Sequence, residues 1–135
     1  MQTVERHVIL PTDLGTAWDL LTRPEELDGW LGSDVILDPT PGAPGLVVDH
    51  DGTRRHLVVE SVETGRRLAW RWWTDDEAEA SRVEITVAPS TDGTLVSVVE
   101  EALDSPSAAL AGADAWSHRL LHLESLLLVA AAVRG

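Results

Sequence analysis

Glu100, the pair His118 and His122, and the triplet Asp49-His50-Asp51 are the residues of this 135-residue sequence whose types and spacing could do chemistry. Glu100 closes the alternation Val96, Val98, Glu100, so if the valines face a core the carboxylate faces it too. An inward carboxylate could act as a general acid or base, or pair with a ligand. The alternative is that Glu100 meets an arginine at the end of a sheet or sits at a wet rim, because Glu101 beside it marks a strand leaving the core. His118 and His122 are four apart, which on a helix places two imidazoles on one side of a metal ion. No Glu follows His118 in the manner of a zinc protease, and the pair lies opposite the apolar side of its helix, so solvent exposure is the expectation. Asp49-His50-Asp51 concentrates oxygen and nitrogen ligands, but the following Gly52 reads as a turn. His7 and His56 fall within strands, as sheet-surface residues or as satisfied core residues. No metal and no cofactor are expected.

The residue types that are missing narrow the chemistry further. The chain has no Cys and no Lys, which removes disulfides, thiolate catalysis, cysteine-ligated metals and lysine Schiff bases. Nothing matches a nucleophile elbow, a Walker loop or a dinucleotide glycine motif. All ten basic residues are Arg, and with 23 acids the formal charge is −13, so a nucleic acid would be repelled. Six Trp supply the entire aromatic content, and indole suits either a packed core or a lined pocket. No signal-peptide core opens the chain, and the uncharged apolar run 126–133 is far shorter than the roughly 20 residues a bilayer needs. The expectation is a cytoplasmic protein with no membrane insertion.

These residues must be positioned by elements that the sequence pattern outlines as one domain over 1–135. Residues 3–10 are β-branched and partly alternating, and Pro11 ends them. Thr12 is placed to cap a helix whose Leu14, Ala17, Trp18 and Leu21 share a face. Pro24 restarts a short second helix that Gly29 stops, and a strand covers 34–37. The stretch 38–45 holds three Pro and is a stiff loop. Strands follow at 46–49, 54–63, 67–74, 81–88 and 94–102, with Asp51-Gly52, Thr64-Gly65 and Asp92-Gly93 as turns. The acidic run 75–79 is a solvated connection. Arg54-Arg55 and Arg66-Arg67 offset nearby acids or bind an anion. Asp114 is placed to cap a last helix from Ala115 to about Val133, with Trp116, Leu120, Leu123, Leu127, Ala130 and Ala131 in one stripe.

In order and spacing, Val4-Glu5-Arg6 through Pro11, the run Ala17 to Leu27 leading to Trp30-Leu31, Arg66 to Trp70 with Trp72, Asp92 to Val96 through Glu100, and Trp116 with Leu120 and Leu123 resemble the START-like helix-grip (SRPBCC) superfamily. Within it the chain is similar to the group of the activator of the heat-shock-protein ATPase. The resemblance implies an α+β helix-grip fold: a curved antiparallel sheet of about six to seven strands wraps a long C-terminal helix, with two short helices after the first strand. It also implies a cavity between sheet and helix, with Trp30 near its mouth. Trp70, Trp72, Val96, Val98 and Glu100 would wall it from the sheet, and Trp116 and Leu120 from the helix.

The expected function is therefore noncatalytic binding or sensing of a small apolar or amphiphilic molecule, neutral or cationic rather than acidic. A polyketide cyclase or dehydratase kind of enzyme is the alternative; it needs two convergent polar groups, and the sequence supplies Glu100 as the candidate catalytic residue with at most one Arg or His beside it. A co-chaperone-like partner-binding domain is the third reading, although the sequence reads as one domain with no second client-contacting segment. A second copy of the chain could pair through Leu121, Leu128 and Val129 on the outer side of the last helix, if these are not simply part of a wider buried stripe.

Overall fold

In the computed structural model, residues 2–76, 80–103 and 106–134 are described, with side chains for 2–76, 80–101 and 108–128. The expectations for Glu77 to Glu79 and for Val129, Ala130 and Ala131 lie outside the described side chains. Ten elements follow one another: β1 (Gln2–Leu10), α1 (Leu14–Thr22), α2 (Pro24–Leu27), β2 (Asp34–Ile36), β3 (Pro44–Val48), β4 (Arg54–Glu63), β5 (Arg67–Trp73), β6 (Ser81–Ser90), β7 (Gly93–Leu103) and α3 (Pro106–Arg134). The strands form one antiparallel sheet in the order β1-β7-β6-β5-β4-β3-β2. This is the helix-grip α+β architecture.

Strict alternation in β6 explains how the sheet separates its two faces. Val83, Ile85 and Val87 are buried, and they stand opposite Glu100, Val98 and Val96 of β7. Trp70 and Trp72 of β5 continue that dry face opposite Val83 and Ser81. The other face carries charge: Glu60 accepts from Arg71 (3.0 Å) and Arg82 (2.8 Å), while Arg82 and Arg67 both reach Glu84 (3.0 and 3.4 Å). Each basic residue in that ladder offsets a neighbouring acid. Across the dry face lies α3, with Trp116, Leu120 and Leu123 buried and Leu127 packed at the margin.

Two helix starts differ from expectation. Asp13, not Thr12, caps α1, because its carboxylate accepts the Thr16 N–H at 2.7 Å and satisfies a donor that the first turn leaves free. The last helix begins at Pro106 rather than Ala115. Proline is preorganised for a first helical turn, and Gly112 and Asp114 are carried inside the helix rather than breaking it. Gly93, at φ +145°, opens β7 where any Cβ would collide with the Leu10 carbonyl oxygen, so the β6–β7 turn closes against the end of β1.

Candidate functional site

Glu100 is buried, with three donors around its carboxylate. Oε2 accepts the indole N–H of Trp72 at 2.8 Å and the Ser81 hydroxyl, and Oε1 accepts the indole N–H of Trp116 at 2.9 Å. The inward orientation read from Val96 and Val98 is the observed one, and the sheet-end arginine and the wet rim are not. This carboxylate ties β5, β6, β7 and α3 together, and a buried acceptor with its lone pairs so engaged is a structural group first.

The indoles around it pack on one another. Trp72 and Trp116 stack with centroids 5.7 Å apart, and Trp70 meets Trp72 edge-on at 5.7 Å. Val96, Val98 and Leu120 belong to the same buried core. Trp30 is fully buried but serves another purpose, donating to the Leu20 carbonyl at 2.9 Å and fixing the chain after α2 to α1. Of the eight residues expected to line a cavity, the structure brings Trp70, Trp72, Trp116 and Glu100 into contact within the core.

Behind this cluster stands a residue that the sequence analysis passed over. Arg119 is 6% exposed, and its guanidinium lies 4.6 Å from the Trp116 ring centroid and 5.1 Å from that of Trp72. Its Nε donates to the Leu31 carbonyl (3.1 Å) and Nη2 to Asp49 Oδ1 (2.8 Å). Arg55 donates to the other Asp49 oxygen at 3.0 Å and covers Trp72 at 4.9 Å. Burial pulls the Arg119 guanidinium below the usual arginine range, and the charge of Asp49 opposes that pull. The signal in the sequence was position: Arg119 comes three residues after Trp116, on the apolar side of the helix.

Outside Arg119 a groove of about 380 Å³ opens between the β3–β4 turn and α3. Its walls include Asp49, His50 and Asp51 from the turn and Asp114, His118 and His122 from the helix, with Leu31 and Ala115 as apolar patches. His118 is solvent-exposed as expected, whereas His122 is half-buried, and both line the groove, because Arg119 places that flank of α3 beside the turn. His50 meets His122 edge to face, centroids 4.9 Å apart. Asp51 is the turn residue expected, its carboxylate accepting the Thr53 N–H at 2.9 Å, which holds its pKa below the ordinary value. Asp49, half-buried, instead pairs with the buried Arg119 and with Arg55. His7 is exposed and His56 pairs with Asp75 at 3.1 Å, so both are sheet-surface residues. Among the described residues, no three His, Asp or Glu side chains already stand so as to hold a metal ion.

Comparison with known proteins agrees with this architecture. No match was found among curated proteins. DynU16, from the dynemicin biosynthetic locus, is 23% identical with a TM-score of 0.85 over 94% of this chain, which spans 47% of that one. MLL2253 from Mesorhizobium loti is 21% identical, TM-score 0.85, covering 93% and 96% of the two chains. The Aha1 dimer from Colwellia psychrerythraea is 13% identical, TM-score 0.79, covering 92% and 94%. These identities establish a shared fold. The model of the family described as Activator of Hsp90 ATPase homolog 1-like protein matches residues 12–127, and the chain belongs to that family.

Proposed function

We propose that this domain binds a small apolar or amphiphilic molecule in the groove between the β3–β4 turn and α3, with the tryptophan cluster as the wall behind it. The observation that carries the reading is the placement of Arg119, which forms the groove floor on one side and lies on Trp72 and Trp116 on the other. The groove volume falls within the range of about 300–1,000 Å³ common for small-molecule sites. Asp51 and Asp114 at its walls, and a formal charge of −13, favour neutral or cationic ligands over carboxylates. A cyclase-like reaction is less well supported, because Glu100 already accepts three hydrogen bonds and does not line the groove. Titration of a library of neutral polycyclic compounds and matched acids, read by tryptophan fluorescence, tests the proposal. Saturable quenching by neutral members, lost in Ala115→Trp, supports it; tighter binding of the acids, or binding unchanged by Ala115→Trp, contradicts it.

A second reading concerns partners. Leu121 and Leu128 stand exposed seven residues apart on one side of α3, at 59% and 69%, and Leu110 continues their stripe three turns earlier. The Colwellia relative is a dimer. We propose a homodimer formed through this side of α3. Sedimentation that shows a dimer in the parent and a monomer in Leu121→Asp, with the fold intact, supports it; a monomer throughout refutes it.

A further inference from the structure

We propose that His50, His118 and His122 form a site for a divalent transition-metal ion of the zinc, nickel or copper type at the groove between the β3–β4 turn and α3. Each half of this set is unremarkable alone, one a turn residue and the other a helical pair. The fold puts them on one cavity although His50 and the helical pair are far apart in sequence. His50 is carried on a fixed support: Asp49 N–H donates to the Thr53 carbonyl (2.8 Å), Gly52 N–H to that of Asp49 (2.9 Å), and the Asp49 carboxylate is gripped by Arg119 and Arg55.

His50 and His122 meet edge to face with centroids 4.9 Å apart, so their rings would have to turn, but not travel, to share one ion. With metal–nitrogen bonds near 2.0–2.1 Å, two imidazoles sharing one tetrahedral ion have centroids about 5 Å apart. His118, one helical turn before His122 and on the same wall, completes the set by a change of rotamer, since three donors are not yet at ligand distances. Three neutral imidazoles and an open groove leave a fourth position for water or an anion. Asp51 and Asp114 supply compensating negative charge at the walls, and the net charge of −13 raises the local concentration of cations. Nitrogen donors select against magnesium and calcium, which prefer oxygen.

The inference does not depend on the apolar-ligand reading, because the metal alone is the probe. Isothermal titration of the full chain with Zn²⁺, and separately with Mg²⁺, is the experiment. One equivalent of Zn²⁺ and no saturable Mg²⁺ binding are expected. His50→Gln, His118→Gln and His122→Gln should each weaken Zn²⁺ binding roughly tenfold or more, since even supporting groups around a metal contribute about that much. His7→Gln and His56→Gln should leave it unchanged. The proposal is overturned by the absence of saturable Zn²⁺ binding, or by Zn²⁺ binding that is the same in His50→Gln. Circular dichroism of each variant separates loss of the site from loss of fold.

Discussion

Changing Glu100 to Gln alters almost nothing but charge and one hydrogen-bonding direction, at the point where three strands and α3 are joined. The amide presents one acceptor oxygen and one NH₂ where the carboxylate presented two acceptors. If the NH₂ faces Trp116, it opposes an indole N–H that now has no acceptor. If it faces the other side, Ser81 can turn its hydroxyl to accept, but the Trp72 N–H is stranded. Either way one charge-assisted bond is lost and one buried donor is left unsatisfied, which together cost about 2–4 kcal/mol. With a urea m-value of about 1.5–2 kcal/mol/M, the unfolding midpoint should fall by about 1–2.5 M. Far-ultraviolet circular dichroism follows the transition without relying on the indoles themselves. Glu100→Ala, which strands three donors, should fall further. A Glu100→Gln midpoint equal to that of the parent would show that the carboxylate does not hold the indoles.

Three further outcomes follow from the same geometry. Asp49→Ala leaves the buried Arg119 charge without its partner and should destabilise by about 3–5 kcal/mol in the same urea assay, whereas an effect below 1 kcal/mol would mean that Arg119 is solvated. Gly93→Ala should lower the thermal midpoint by several degrees, because its Cβ would collide with the Leu10 carbonyl at a φ that side chains rarely adopt; scanning calorimetry reads this directly. Glu60 is held below its ordinary 4.5, first by the hydrogen bond from Arg82, so its contribution is fully present above pH 4.5 and is lost as pH falls below it. Glu60→Gln should accordingly flatten the acid side of the stability profile and leave its alkaline side unchanged.

The alternation of β6 and the glycine turns were readable in the sequence because their causes are local: period-two burial and the positive φ of Gly52 and Gly65. The inward face of Glu100 was readable for the same reason, from Val96 and Val98. Its partners were not, since Trp72 and Trp116 lie 28 and 16 residues away and meet it only through strand register and helix placement. Arg119 and Asp49 are 70 residues apart, so nothing local marks them as a pair. Asp114 and Gly112 misled because they carry the signatures of a helix boundary, whereas the continuing helix absorbs both. The groove escaped for a related reason: its histidines come from two segments whose separate patterns each have an ordinary explanation.

The six indole N–H groups offer the most direct test of ligand binding in the groove. In a ¹H–¹⁵N correlation spectrum, titration with a neutral polycyclic compound should shift the indole signals of Trp72 and Trp116, which lie against Arg119, together with the Arg119 Nε–H and the backbone amides of Ala115 and His118. The signals of Trp18 and Trp30, packed around α1, should stay in place. Shifts confined to Trp18 and Trp30, or a spectrum unmoved by every neutral compound tried, would contradict a binding site at this groove.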